Sequence, residues 1–222
     1  MAAEPPTHEP PSTEPLDAPR IAGWADELRA MAAIGLLYGH DHFDRERYAR
    51  IQTMAAEMLA LAAVPGGTPE TVRAALARDI GYVTVKVGVA GAVFDHAGWL
   101  LLLQRRDSGL WAMPGGWADV GDDTPAAMTA REVREETGME VHVDRLLGLY
   151  DSRRRRFGHP HHLYHIVFAC TPIGGEPRVT EESRAIAWFT PDRLPPLAVS
   201  HTDAVQDAFR WWADPTLPAV FD

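Results

Sequence analysis

Three glutamates, Glu132, Glu135 and Glu136, lie within five consecutive residues near the middle of the chain. The segment Pro125–Thr137 around them predicts a helix, because a threonine and a proline open it and a glycine follows it. On such a helix the three carboxylates share one face, with their Cβ atoms about 5–6 Å apart. Like charges at this spacing repel each other, and clustered carboxylate oxygens suit a hard cation such as Mg²⁺. The spacing therefore predicts a metal-binding helix face.

An ordinary solvated helix face is the alternative for the same residues. Arg131 stands four residues before Glu135, and a pair in this order stabilises a helix by only about 0.2–0.5 kcal/mol. Such a pair leaves Glu132 and Glu136 facing each other without a compensating charge. The Pro-Gly-Gly turn before the helix and the glycine after it favour the metal-binding interpretation.

The segment Pro114–Met139, PGGWADVGDDTPAAMTAREVREETGM, resembles the Nudix box. That pattern runs Gly, five residues, Glu, seven residues, then Arg-Glu-apolar-any-Glu-Glu-any-Gly-apolar. The second half matches at every specified position from Arg131 to Met139. The first half departs from the pattern, because Asp122 or Asp123 replaces the first glutamate and one residue is inserted. The role of that first acid stays open, and the helix itself is unaffected.

The resemblance implies an enzyme that hydrolyses a nucleoside diphosphate linked to another group X, giving a nucleoside monophosphate and phosphorylated X. It implies Mg²⁺ or Mn²⁺ held by Glu135 and Glu136. Glu132 resembles the acid that is a further ligand or the general base. The backbone carbonyl of Gly116 resembles an additional metal contact, and Arg131 resembles the residue that orients the box glutamates through a salt bridge.

A general base outside the box is also common in the family. Glu181 and Glu182 precede the last predicted strand of the chain, in TEESRAIAWF. We favour Glu182 as the catalytic base, and a solvated loop is the alternative for both residues.

A basic segment follows the strand after the box. It reads RRRRFGHPHHLYH and is the one strongly basic patch in an acidic protein. Because guanidinium groups bind phosphate in a bidentate way, we expect Arg153, Arg154 and His159 to contact the substrate. A solvated hairpin loop is the alternative. The resemblance adds Arg105, at the end of the second strand, as a residue near the phosphates.

Short apolar strands and two helices surround the box in sequence. We expect strands at 83–94, 99–106, 111–113, 141–150, 162–170 and 185–189, and helices at 125–137 and 201–212. The first two strands are predicted to form a hairpin around the turn 95–98. This order predicts an α/β sandwich with a mixed sheet, which is the fold that the Nudix resemblance implies.

Three amphipathic helices are predicted before the strands, at 21–38, 44–64 and 69–78. The stretch GLLYGHDHFDRERYARIQTMAAEML resembles the small helical N-terminal domain of a Nudix subgroup that includes ADP-ribose and CDP-choline pyrophosphatases. The resemblance implies a homodimer formed through these helices, and an appendage that completes the core is the alternative. With six prolines in the first 20 residues, we expect a disordered tail at 1–20, the helical domain at 21–79 and the Nudix domain at 80–222.

Composition limits the partners of the chain. A formal net charge of −10 over 222 residues argues against a general nucleic-acid binder, which needs a basic surface. No apolar run reaches the about 18 residues that span a membrane, and no secretory signal is visible. The single Cys170 excludes an intramolecular disulfide, so we expect a cytoplasmic protein with a small-molecule substrate.

The leading hypothesis is a metal-dependent pyrophosphatase acting on ADP-ribose, CDP-choline or a similar compound. A Nudix-like ligand sensor or interaction protein that has lost turnover is the alternative, and the altered first half of the box motivates it. A third hypothesis, removal of oxidised nucleoside triphosphates, keeps the chemistry but leaves the N-terminal resemblance unexplained.

Overall fold

The computed structural model describes residues 17–64, 66–77, 83–118 and 124–222. Asp122 and Asp123, and residues 1–16 of the predicted tail, lie outside the described residues. Within the described residues, no helix combines the length and the apolar character needed to cross a bilayer.

Three helices form the N-terminal part of the protein, as predicted: α1 (Ala18–Tyr38), α2 (His42–Ala62) and α3 (Pro69–Leu76). Helix α1 begins three residues before its predicted start, so residues 18–20 are helical and do not belong to a disordered tail. The reason is local, because the side chain of Asp17 accepts a hydrogen bond from the backbone N–H of Arg20 and a proline lies in the first turn.

Helices α1 and α2 pack on each other through small residues. The buried positions of α1 include Ala22, Ala25 and Ala32, and the ring of Tyr48 on α2 lies against Gly35 of α1. Several large apolar side chains of these helices are partly exposed instead. Trp24 and Met54 are 43% exposed and Met31 is 60% exposed. The two helices therefore present a partly apolar outer surface.

Two sheets form the rest of the protein. One is mixed, with strand order β4-β1-β6-β5-β8, and the other is antiparallel, with order β3-β2-β7. The strands are β1 (Lys86–Val93), β2 (Leu100–Arg105), β3 (Trp111–Ala112), β4 (Gly115–Trp117), β5 (Met139–Asp151), β6 (Leu163–Gly175), β7 (Ser183–Phe189) and β8 (Val220–Phe221). Together with the helices that cover them, these sheets make the predicted α/β sandwich.

The predicted hairpin of the first two strands forms only at its turn, where Phe94 and Leu100 make a single antiparallel bridge. The chain does reverse direction at Asp95, whose N–H donates to the carbonyl of Trp99 at 3.0 Å. However, β1 then pairs with β4 and β6, whereas β2 pairs with β3 and β7. Both strands are apolar runs that are buried along most of their length, and each is an interior strand of its own sheet, with a neighbour on both sides.

The helix that carries the three glutamates is α4 (Pro125–Thr137), with the bounds that the sequence predicts. The hydroxyl of Thr124 accepts from the N–H of Ala127 at 3.0 Å, and Gly138 ends the helix in the left-handed region at φ 76°. Val133 packs its inner face against strand residues such as Val93 and Leu101. This packing leaves the glutamates on the outer face. A last helix, α5 (Val199–Ala213), covers the other side of the mixed sheet.

Candidate functional site

The outer face of α4 carries an ion-pair network. The Nη1 of Arg131 lies 3.0 Å from Oε1 of Glu132 and 2.9 Å from Oε2 of Glu135. The side chain of Glu132 is only 15% exposed, whereas that of Glu135 is 50% exposed. Arg131 thus contacts two of the three glutamates at once.

Glu136 is the most deeply placed of the three carboxylates. Its Oε2 accepts a hydrogen bond from the backbone N–H of Gly115 at 2.7 Å. Burial raises the pKa of Glu136 to about 8, against a lowering by the Gly115 bond, while the charges of Glu132 and Glu182 raise it further. A carboxyl that is both buried and close to other carboxylates is costly to ionise without a cation nearby.

Strand β4 positions the glycines of the box against α4. The prediction placed a turn here, but Gly115–Trp117 pair with β1 in antiparallel register. At Gly116, a Cβ atom would lie 2.6 Å from the carboxyl carbon of Glu132. Only glycine therefore lets the strand approach the Glu132 carboxylate this closely.

Glu182 lies beside the box carboxylates, although it is 46 residues further along the chain than Glu136. A hydrogen bond between Glu182 and Glu136 is one of the interactions that raise the pKa of Glu136. The loop before β7 that carries Glu182 is held next to α4, since the hydroxyl of Thr180 donates to the backbone carbonyl of Glu136 at 3.3 Å. The structure thus brings Glu182 to the carboxylate cluster. Within the described part of the chain, Glu181 makes no comparable contact with Glu136.

Arg105 adds a positive charge at the same place. Its guanidinium donates to Asp107 at 3.1 and 2.7 Å. These hydrogen bonds raise the pKa of Arg105, and the charges of Glu136 and Glu182 raise it further. Arg105 is therefore a permanently charged group close to the carboxylates.

A cavity of about 190 Å³ opens next to the glycines of β4. Three of the predicted site residues, Arg105, Gly116 and His159, line it. Sequence reasoning missed the other functional groups in its wall, which include Trp117, Phe157, His165 and His201. Of these, Trp117 is 46% exposed and its ring centroid lies 5.3 Å from that of His159. The two rings are tilted by 58° to each other, so each can contact a planar group with its own face or edge.

Two of the three histidines in the cavity wall are buried and have a lowered pKa. His165 on β6 and His201 on α5 are buried, with ring centroids 4.9 Å apart. Burial lowers the pKa of His165 to about 4 and that of His201 below its ordinary value. No sequence signal joins them, because they come from different elements 36 residues apart. They make this part of the wall neutral and partly aromatic.

Two of the predicted substrate residues lie away from this cavity. The guanidinium of Arg153 is occupied inside the protein, with Asp26 of α1 at 2.6 Å and the carbonyls of His159 and Pro160 at 2.9 and 3.0 Å. Arg154 is exposed and does not line the cavity. The basic segment thus contributes His159 to the cavity wall, whereas its first arginine, Arg153, binds Asp26 and two backbone carbonyls.

The donors around α4 fit a hard divalent cation by their chemistry. Glu132, Glu135 and Glu136 offer carboxylate oxygens, and the pKa of Glu136 is raised first by burial and then by the charges of Glu132 and Glu182, so a cation would stabilise its ionised form. Within the described residues, no group of three or more His, Cys, Asp or Glu side chains is already arranged around a metal position. The carboxylates of Glu132 and Glu135 are instead paired with Arg131.

Family models match most of the chain. A model described as NUDIX domain matches residues 84–211. A model described as UDP-X-like, N-terminal oligomerisation domain matches residues 19–76.

Known proteins similar to this chain carry related names. A Bacillus subtilis (strain 168) protein named "Putative ADP-ribose pyrophosphatase YjhB" is 33% identical over 201 residues, covering 89% of this chain and 95% of that protein. The ADP-ribose pyrophosphatase of Methanocaldococcus jannaschii is 34% identical over 134 residues, covering 59% of this chain and 76% of that protein. The crystal structure of a UDP-X diphosphatase superposes with a TM-score of 0.58 at 25% identity, covering 93% of this chain and all of that chain.

Proposed function

The chain belongs to the Nudix family and is a Nudix hydrolase, and from this premise we propose the reaction that it catalyses. In this proposal the protein splits the pyrophosphate bond of a nucleoside diphosphate linked to another group, of the ADP-ribose or CDP-choline type. The reaction uses Mg²⁺ or Mn²⁺. The products would be a nucleoside monophosphate and phosphorylated X. The observation that carries the proposal is the hydrogen bond from Gly115 to Glu136, because it joins the carboxylate face of α4 to the strand that lines the cavity. The proposed metal-binding oxygens and the recess of about 190 Å³ would thus share one wall.

The box residues would hold the cation. In this proposal Glu135 and Glu136 are the main ligands, with Glu132 and the carbonyl of Gly116 completing the set. A bound Mg²⁺ or Mn²⁺ polarises phosphoryl oxygens and lowers the pKa of a coordinated water. Arg131 keeps its orienting role, since its guanidinium already contacts Glu132 and Glu135.

Glu182 is our proposed catalytic base. Its contact with Glu136 supports a position from which its carboxylate can take a proton from the attacking water. The water oxygen bonds to one phosphorus atom, the bridging P–O bond breaks, and the leaving phosphate departs on phosphorylated X or on the nucleotide. Arg105, a cavity-lining cation, would neutralise a phosphate as charge moves to the leaving oxygen.

The cavity wall suggests how the rest of the substrate is held. We assign His159 and Trp117 to the planar or sugar part of the compound, because their adjacent rings line the recess. Arg153 is not assigned to the substrate, since its guanidinium donates to Asp26 and to two backbone carbonyls. A contact from Arg154 remains a prediction.

A panel of substrates tests the proposal. The purified chain should hydrolyse at least one of ADP-ribose, CDP-choline and a UDP-linked sugar in the presence of Mg²⁺ or Mn²⁺, and should lose turnover when a chelator is added. Product analysis should show a nucleoside monophosphate with no free pyrophosphate. An oxidised nucleoside triphosphate belongs in the same panel, and preference for it would favour the third hypothesis. No turnover of any compound would favour the ligand-sensing alternative, which the altered first half of the box motivates.

A homodimer through the N-terminal helices is part of the proposal. Its support is the match of residues 19–76 to an oligomerisation domain and the exposure of Trp24, Met31 and Met54 on α1 and α2. Replacing Met31 by Glu places a charge in an apolar interface and should shift the protein toward monomer in light scattering after size-exclusion chromatography. Ile173→Glu is the control. Ile173 is also apolar and 68% exposed, but it lies on β6 and not on α1 or α2, so this variant should leave the dimer intact.

The division into a tail at 1–20, a helical domain at 21–79 and a Nudix domain at 80–222 remains a prediction apart from the helical residues 18–20. A cytoplasmic location is likewise proposed. Its support is that Cys170 is a free, buried cysteine, as suits a reducing compartment.

A further inference from the structure

A short ion pair joins α1 to the loop between β5 and β6. Oδ2 of Asp26 lies 2.6 Å from both Nε and Nη2 of Arg153, and each side chain is only 11% exposed. The other carboxylate oxygen, Oδ1, accepts from Arg29 at 3.3 Å. Because the pair is largely removed from water, it is screened little by salt. Removing one partner would leave an uncompensated buried charge.

The same guanidinium holds the part of the loop that lines the cavity. Arg153 donates through Nη1 to the carbonyl of His159 at 2.9 Å and through Nη2 to the carbonyl of Pro160 at 3.0 Å. The Nδ1 of His159 also accepts from the backbone N–H of His161 at 3.1 Å. Arg153 therefore connects Asp26 on the N-terminal helix with the backbone of a cavity-lining histidine.

The loop needs such external contacts to keep its shape. Arg156 has φ 54°, a left-handed conformation that is unfavourable for a residue with a Cβ atom. Phe157 packs into the core, and Arg155 pairs with Asp222 at 2.8 Å. These contacts hold the middle of the loop, whereas those of Arg153 reach the end that carries His159.

We propose that Asp26 is a positioning residue for the substrate. Through Arg153 it holds His159 against Trp117, so that the N-terminal helical segment shapes the cavity next to the box. This inference rests on the proposed function, because it takes the cavity as the substrate site. It gives the helical segment a role in substrate binding that is separate from oligomerisation.

Asp26→Asn tests the inference, because it keeps the size of the side chain and removes its charge. We expect KM for the substrate found in the panel to rise by about tenfold with kcat within about twofold, the pattern of lost binding that is equal in ground and transition states. Amide hydrogen exchange in residues 153–162 should become faster, and exchange in α4 should not change. The oligomeric state should match that of the wild type.

Asp44→Asn is the matched control. Asp44 pairs with Arg47 on α2 at 2.8 Å, but both side chains are largely exposed, so this variant should behave as the wild type in every measurement. If Asp26→Asn does not fold, Arg153→Lys replaces it, since it keeps the charge but loses the forked contacts, and the same changes are expected.

Three results would overturn the inference: unchanged exchange at 153–162, faster exchange with unchanged KM, or a KM change that appears only together with dissociation of the oligomer. The exchange measurement also separates this inference from the proposed function. If the wild type hydrolyses none of the compounds, the proposed function fails, and the exchange rate still decides whether Asp26 holds the loop.

Discussion

Glu136→Gln is expected to lower turnover by more than about 100-fold while the protein stays folded, since even outer-shell changes at metal sites cost about 10–100-fold. The glutamine keeps the shape of Glu136 and can still accept the N–H of Gly115, the bond that joins α4 to β4. It cannot supply a negative charge to a divalent cation. Steady-state rates across a Mg²⁺ and a Mn²⁺ titration would measure the loss. Turnover near that of the wild type at low metal concentration would show that α4 is not the metal site.

The same variant should change the pH dependence of stability. The pKa of Glu136 is about 8 in the folded protein, above its ordinary value of 4.5. Below pH 4.5 the carboxyl is protonated in both states. As the pH rises from 4.5 to about 8, the unfolded chain gives up this proton first, and the free energy of unfolding of the metal-free protein falls.

Because glutamine has no proton to lose, metal-free Glu136→Gln should be more stable than the wild type, and the difference in Tm should grow between about pH 5 and pH 8. Added Mg²⁺ should raise the Tm of the wild type more than that of the variant. Glu140→Gln, which changes an exposed carboxylate on β5, should show neither effect. If the Tm of Glu136→Gln differed from that of the wild type by the same amount at pH 5 and at pH 8, the assignment of the raised pKa to Glu136 would be contradicted.

Gly116→Ala should reduce kcat/KM by more than about tenfold, because displacing a reacting or ligating group by about 1 Å can cost as much as about 100-fold. The new Cβ would lie 2.6 Å from the carboxyl carbon of Glu132, whereas ordinary contact begins at 3.4 Å. The carboxylate must therefore move by about 0.8 Å, the difference between those distances. Since the end of a flexible side chain gives way and no backbone atom does, we expect the fold to survive.

Gly23→Ala is the control for this substitution. A Cβ at Gly23 on α1 would meet no atom within 4 Å, so alanine there should leave activity unchanged and stabilise the helix by about 0.5–1 kcal/mol. Circular dichroism and thermal melts would separate the two variants. An unfolded Gly116→Ala protein would show that β4, and not the Glu132 carboxylate, is what the glycine protects. Wild-type kcat/KM in a folded Gly116→Ala protein would argue against a role for Glu132 at the site.

The local features of the fold could be predicted from the sequence because neighbouring residues produce them. The bounds of α4 follow from the cap at Thr124 and the left-handed glycine at Gly138. The shared face of the three glutamates follows from the helical period. The class of fold followed from the order of apolar segments and from the resemblance of the box, and the match to the NUDIX domain confirms it.

The pairing of strands could not be predicted in the same way. The runs that form β1 and β2 are adjacent in sequence and apolar, which favours a hairpin. Both strands are buried along most of their length, and each is instead an interior strand of a different sheet. Strand β4 was missed because two glycines and a short length give it almost no strand propensity.

The sequence by itself determined which residues could bind a cation, since the carboxylates of α4 are spaced by the helix that carries them. Only the tertiary structure decided what surrounds them. It brings Glu182 to Glu136, His201 to His165 and Arg153 to Asp26, and each of these pairs joins separate elements of the chain. Such contacts depend on how sheets and helices pack, and packing is a property of the whole core that no local spacing of residues encodes.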